Sequence, residues 1–253
     1  MDSAGISDRR RWHAEHAGLN AWPALYSVVH DGWVMRFADG LSRRANSANP
    51  LHADARVTGA TLQYFENLFQ LHDLPMIIRV PSLLDPEVDR TLERFGFLAE
   101  GESHVLFAEL AALAIKSDPA VSVITDLDDG WLAALNKMQA RTDEQGATFD
   151  DIMASIALPA GFAALTVDGA IVALACGVID GDMLVIESVI TDPRHRGAGY
   201  GRRLSAALLH WARLNEATCA CLQVEAGNRG GLSLYRELGF VTELSRYHYR
   251  RKP

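Results

Sequence analysis

Short strand-like apolar runs and helix-period stripes alternate along this chain and divide it into elements. The first strand signals flank Asp31-Gly32, with Val28-Val29 before the turn and Trp33-Val34-Met35-Arg36-Phe37-Ala38 after it. Residues 41–50 alternate enough to predict a further strand stopped by Pro50. Leu62, Phe65 and Phe69 mark one face of a helix over 57–71, residues 76–80 read as a buried strand, and Asp85-Pro86 opens a helix over 85–95. Residues 97–110 predict a strand pair around Gly101, and 114–119 a short polar linker. Beyond it, 121–125 reads as a strand, and Asp128-Asp129 opens a helix with apolar positions Trp131, Leu132, Leu135 and Met138. Residues 141–151 read as a polar connection, followed by a short helical piece to about 157. A hairpin over 162–167 and 171–179 crosses Asp168-Gly169, and a Val/Ile-rich strand over 183–190 ends at Asp192-Pro193.

The stretch after that strand organises the rest. Arg196-Gly197-Ala198-Gly199-Tyr200-Gly201-Arg202 precedes apolar residues at Leu204, Leu208, Trp211 and Ala212, the spacing of one helix face. The glycines therefore sit where a strand hands over to a helix N-terminus. Free backbone N–H groups point outward there, the helix dipole favours negative charge, and glycine lets a phosphate approach without a Cβ in the way. The spelling is not a Walker A loop, because no Gly-Lys-Ser/Thr ends it. Nor is it the dinucleotide fingerprint, because only two of the three glycines are in place.

Composition narrows the class. With 253 residues, 49% hydrophobic and 22% charged, the chain suits one large or two small globular domains. Its net charge of −8 argues against nucleic acid or anionic membranes as nonspecific partners. The longest apolar stretch, about 169–179, is far below the roughly 18 residues of a membrane span, and Met1-Asp2-Ser3-Ala4-Gly5 has no signal core, so a cytosolic (cytoplasmic) protein is expected. Cys176, Cys219 and Cys221 have no disulfide or zinc spacing and read as buried inert thiols, with a catalytic cysteine as the alternative. The nine histidines are scattered, and no metal is expected.

An internal repeat changes the domain picture. Residues 76–80, a helix ending in Phe95-Gly96-Phe97 and the strand after it parallel residues 221–225, a helix ending in Leu238-Gly239-Phe240 and the strand after that, with Gly96-Phe97 and Gly239-Phe240 at an offset of 143. Two copies of one sheet design are implied, with chance recurrence of a common helix-Gly-strand pattern as the alternative. At this offset the glycine loop lands near residues 53–58, which lack the paired glycines.

The ordered series Asp192-Pro193, Arg196-x-x-Gly199-x-Gly201, an amphipathic helix, Asn228, Tyr235 and Leu238-Gly239-Phe240 resembles the GCN5-related N-acetyltransferases, the GNAT superfamily. The element order over 119–253 resembles the same fold. Ala21-Trp22-Pro23, the run 32–40 and Arg44-Ala45-Asn46-Ser47 also resemble a bacterial group of two-lobed GNAT proteins. The resemblance implies an α/β (α+β) protein with two GNAT-like lobes, each a mixed, mostly antiparallel sheet flanked by helices. An N-terminal arm or helix would cover 1–18, a degenerate lobe 19–115 and a catalytic acetyltransferase domain 119–253.

The resemblance also implies roles. The backbone of Gly197, Ala198, Gly199, Tyr200, Gly201 and Arg202, with Arg196, would hold the pyrophosphate of acetyl-CoA, the acyl donor. Val189, Ile190 and Thr191 would run beside the pantetheine arm, and Asn228 would hydrogen-bond the cofactor or cap a helix. Tyr235 would protonate the leaving thiolate, or serve as a half-buried core tyrosine. For the base, Glu187 interrupts an apolar strand on the side of Val189, and burial would raise its pKa; Glu225 competes, as do a water chain and the first lobe. Arg44, Asn46 and Ser47, polar residues crowded in the expected strand over 41–50, would line an acceptor pocket between the lobes or serve ordinary turn and edge chemistry. The expected reaction is direct, ternary-complex acetylation of a small-molecule or amino-acid-like amine. A non-catalytic acyl-CoA-binding or regulatory protein and a protein N-acetyltransferase remain open.

Overall fold

A computed structural model describes residues 5–116 and 118–253; residues 1–4, the start of the expected arm, and Ser117 in the linker lie outside it. The first half runs α1 (Asp8–Ala21), β1 (Tyr26–His30), β2 (Trp33–Phe37), β3 (Ala48–Pro50), α2 (Gly59–Leu71), β4 (Ile77–Pro81), α3 (Pro86–Arg94) and β5 (Leu98–Glu109). The second runs β6 (Val121–Ile124), α4 (Asp129–Met138), α5 (Asp143–Ala154), β7 (Ala160–Val167), β8 (Ala170–Asp180), β9 (Met183–Thr191), α6 (Tyr200–Leu214), β10 (Cys219–Glu225), α7 (Arg229–Glu237) and β11 (Thr242–Arg251). This is the mixed α/β architecture expected.

Both halves share one sheet, in the order β1-β2-β3-β4-β11-β5-β10-β9-β8-β7-β6. Each half lends its last strand to the other: β11 lies between β4 and β5, and β5 pairs with β11 on one edge and β10 on the other. The repeat is visible at the helices before these strands. Gly96 and Gly239 both take positive φ, and the following amides close back in the same way, Phe97 N to Leu92 O at 3.1 Å and Phe240 N to Tyr235 O at 2.9 Å. Leu92, fully buried, thus stands where the second half has Tyr235.

Strand alternation assigns the two faces. Met183 and Val185 of β9 pack with α1, α4 and α5 through Ala17, Trp131 and Phe149, whereas Leu184 and Ile186 pack with Leu204 and Leu208 of α6. Burying each of those two α6 leucines stabilises by about 2 kcal/mol. A third cluster, around Trp33, Phe65, Leu92 and Phe97, fills the first half.

The expected outer helix is α1, and it is tied into both halves. Buried Glu15 accepts from Ser245 Oγ of β11 at 2.8 Å and forms an ion pair with buried Arg79 of β4. At the other end, Arg10 holds Asp182 of the β8–β9 turn at 2.8 Å.

Three elements differ from the sequence reading. Residues 41–50 form a loop with a 3-10 turn at Arg43–Ala45 and only the short strand β3, because Asn46 staples the loop to itself. Its Oδ1 accepts from Ala38 N (2.7 Å) and Gly40 N (3.0 Å), and its Nδ2 donates to Ser42 O (2.8 Å). In place of a strand pair over 97–110 stands one continuous strand, Leu98–Glu109, with Gly101 at a bulge rather than a turn: Tyr247 pairs with Ser103, but Tyr249 pairs with Glu100. The polar connection at 141–151 is mostly α5, begun by a reciprocal cap between Thr142 and Gln145 that outweighs its polar composition.

Candidate active site

The site begins where two parallel strands part. β9 and β10 pair only from Met183–Cys219 to Ile186–Leu222, although both continue beyond. The strands open at their carboxyl ends, the place where open α/β sheets bind ligands. On its other edge β9 carries a bulge, with Glu187 opposite Cys176 but Ile190 opposite Leu174. Among the described residues, Ser188 and Val189 have no register partner on either side, and Ser188 takes a left-handed φ of +53°. Val189 lines the opening, whereas Ile190 and Thr191 stay paired to β8.

The glycine loop follows β9 through Asp192, which accepts from Arg194 N at 2.9 Å and from its guanidinium at 2.8 Å. Gly199 is the N-cap of α6, at φ +75°, with no side-chain cap, and Gly197 is at φ +81°. A Cβ on either glycine would meet nothing within 4 Å, so the first turn of α6 offers uncapped N–H groups to open space. This cradle fits a pyrophosphate, with Arg196, Ala198 and Arg202 exposed around it and Tyr200 half-buried behind it, 5.7 Å from the Arg203 guanidinium. Gly201 differs from the other two: it is buried, and its missing Cβ gives room to Leu234 of α7. The equivalent helix of the first half, α2, is capped by its own Thr58, whose Oγ1 accepts from Thr61 N at 3.1 Å.

A cavity of about 770 Å³ occupies the opening. Tyr235 of α7 lines it with Asn228, whose side chain also caps α7 by accepting from Gly231 N at 2.9 Å. Burial, then the negative charge of Glu187, pushes the Tyr235 phenol well above the usual tyrosine range, so it stays protonated.

Glu187 lies on the opposite face, that of Met183 and Val185, whereas the bulge at Ser188 turns Val189 to the α6 side, so the two do not share a face as strand alternation in the sequence predicts; nor is Glu187 a lone buried carboxylate. Arg44, from the 3-10 turn of the first half, donates to both of its oxygens at 2.6 and 2.7 Å. Arg44 is held in turn: its guanidinium lies 4.7 Å from the Trp22 ring centroid, and its carbonyl accepts from buried Arg36 at 2.9 Å. The counter-charge meets the carboxylate where the sequence anticipated burial alone. Asn46 and Ser47 do not reach the cavity. Both are buried, Asn46 in its loop staple and Ser47 accepting at Oγ from Asn49 at 3.2 Å, so their part is to shape the loop that presents Arg43 and Arg44.

Glu225 lines the outer end of the cavity, 67% exposed and 3.3 Å from Arg43. Sequence reading missed Arg43, and it missed Tyr247 and Tyr249 because the strand exchange alone brings β11 to this wall. Its trace in the sequence is the Tyr247-His248-Tyr249 alternation, which puts two phenols on one face. Tyr247 donates to Gln223 Oε1 at 2.8 Å, whereas the buried Tyr249 hydroxyl has no partner among the described residues. Among the described residues no group of His, Cys, Asp and Glu could hold a metal, and no helix is long and apolar enough to cross a membrane.

Residues 7–251 match the family described as "Probable histone acetyltransferase Rv0428c C-terminal". The chain is 23% identical over 244 residues to YobR of Bacillus subtilis, named an uncharacterized N-acetyltransferase, covering 94% of this chain and 97% of that one. A GCN5-related N-acetyltransferase from Kribbella flavida superposes with a TM-score of 0.72 at 20% identity, covering 99% of this chain and 97% of that one. A tandem GNAT protein from the clavulanic acid biosynthesis pathway gives 0.68 at 14% identity, over 94% and 87%.

Proposed function

Because the chain belongs to the Rv0428c C-terminal family and is a GNAT-type N-acetyltransferase, we propose that it transfers acetyl from acetyl-CoA to the amine of a small molecule by direct attack. The observation that carries this reading is the uncapped, glycine-lined N-terminus of α6 beside the parting of β9 and β10. Bound acetyl-CoA supplies the acetyl group as a thioester. The amides of the first α6 turn and Arg196 grip the pyrophosphate, and the backbone of Ser188 and Val189, out of register with both neighbouring strands, offers donors to the pantetheine arm and to a developing oxyanion.

Tyr235 donates its hydroxyl hydrogen toward the departing sulfur from the α6 and α7 face, and the acceptor amine approaches from the face of Glu187. Both oxygens of Glu187 are engaged by Arg44, so taking a proton there would weaken a buried ion pair. We therefore assign Glu187 to positioning Arg44 and keeping Tyr235 protonated. Glu225, solvent-connected and only loosely paired, receives the amine proton.

The division of labour proposed is that residues 119–253 hold the cofactor while the first half contributes Arg43 and Arg44 to the acceptor side. The capped start of α2 and the replacement of the tyrosine position by Leu92 support one cofactor per chain. A protein lysine is the second reading, favoured by the family's description; the Arg43–Arg44 wall over the acceptor side weighs against a wide peptide groove. Free-CoA release by the full chain over an amine panel and a peptide panel tests the choice. Turnover confined to peptides would overturn the small-molecule reading.

A further inference from the structure

We infer that the acceptor amine also carries a carboxylate, and that Tyr249 and Arg43 hold that group; the inference rests on the acetyltransferase reading above. Tyr249 is 3% exposed and lines the cavity, and its hydroxyl has no partner among the described residues. Buried hydroxyls are ordinarily hydrogen-bonded, so the exception calls for a partner from outside the chain. Its surroundings define that partner. The charges bearing on it from Arg79, Arg44 and Arg43 are all cationic, and the neighbouring Tyr247 hydroxyl is already committed to Gln223. Guanidinium groups donate and cannot accept, and none of the carboxylates, amides and hydroxyls that line the cavity makes a hydrogen bond to the Tyr249 hydroxyl. A ligand oxygen bearing negative charge satisfies it and is attracted by the same cations.

Arg43 completes the subsite. Its guanidinium carbon lies 5.0 Å from the Tyr249 ring centroid, and its contacts to Glu100 (3.5 Å) and Glu225 (3.3 Å) are long for charge-assisted bonds. A ligand carboxylate can take over this fork without breaking a tight pair, and doing so releases Glu225 for the amine proton. The charges lining the cavity also balance, with Arg43, Arg44 and Arg251 against Glu100, Glu187 and Glu225. A zwitterionic amino acid, neutral overall, keeps that balance, whereas a simple ammonium does not.

The test uses the full chain. Acetyl-CoA binding is measured first by calorimetry; a chain that binds none fails the acetyltransferase reading itself, and this inference with it. Initial rates of free-CoA release are then compared for amino acids and their amides and decarboxylated amines, which keep the amine and lose the anion. The expected result is an amino acid whose KM is at least about tenfold below that of its amide. Tyr249→Phe should raise the amino acid's KM about tenfold, leave its kcat within about twofold and leave the amide's KM unchanged. Because the substitution only removes an unpartnered hydroxyl, its melting temperature should match or exceed the parent's, which separates lost binding from lost folding. In a chain that binds acetyl-CoA, equal use of acid and amide, a Tyr249→Phe effect common to both, or no turnover of any carboxylate-bearing amine would overturn the inference.

Discussion

Arg44 and Glu187 form a two-pronged ion pair, 2.6 and 2.7 Å, between the first half's loop and β9, at positions separated by the repeat offset of 143. The loop that would have continued as a strand delivers a cation to its counterpart's carboxylate. Removing one member strands the other's charge, so Arg44→Met and Glu187→Gln should each destabilise by about 3 kcal/mol in urea unfolding, with the double variant well short of the sum. Additive losses would contradict the pairing. If Glu187→Gln abolished turnover with stability unchanged, Glu187 rather than Glu225 would be the proton acceptor.

Tyr235 gives a prediction that separates binding from chemistry. Tyr235→Phe should lower kcat roughly ten- to a thousandfold with acetyl-CoA affinity nearly unchanged. Its raised pKa means the parent phenol does not titrate in the assay range, so no limb of a pH–rate profile between about 6 and 9 should vanish in the variant. Unchanged turnover would return Tyr235 to a packing role against Phe240, 6.1 Å away between ring centroids.

The thiols should be inert. Burial pushes Cys219 up to about 12 and raises Cys176 and Cys221 as well. Iodoacetamide at neutral pH should label none of the three in the native chain and all of them in denaturant. Native labelling accompanied by loss of activity would reopen a cysteine mechanism.

Acid should loosen α1 first at its N-terminal anchor. Hydrogen bonding from Arg10 holds the Asp182 carboxyl below the usual aspartate range, opposed by partial burial and helped by Thr218 and His13. A depressed folded value means the contribution is complete above the unfolded value of about 3.9 and is lost as pH falls through the folded one. The protection factors of α1 amides, the observed exchange corrected for the intrinsic rate at each pH, should therefore fall below about pH 4, and Asp182→Asn should lower them in the same way at pH 7. Protection of α1 as high at pH 3 as at pH 7 would contradict this.

The sequence disclosed the parts whose chemistry is local. Paired glycines after a Val/Ile strand fix the cradle, and the Asp31-Gly32 and Asp168-Gly169 turns fix their hairpins, because each feature depends on neighbours within a few residues. What was hidden depends on partners far along the chain. Arg44 meets Glu187, and Tyr249 reaches the acceptor wall, only through the exchange of β5 and β11, which no local period records. Asn46 misled for a related reason: four polar atoms within eight residues absorb its side chain, so a polar cluster that reads as a pocket became a loop staple.

One measurement bears on the central claim most directly: calorimetric titration of acetyl-CoA into the full chain and into Ala198→Glu. Ala198 is exposed between the two positive-φ glycines and does not itself share that conformation, so the substitution adds a carboxylate at the cradle without the backbone strain a change at Gly199 would bring. The account predicts one acetyl-CoA per chain, with affinity lowered at least about tenfold by the substitution. Two cofactors per chain, or undiminished binding by Ala198→Glu, would contradict it.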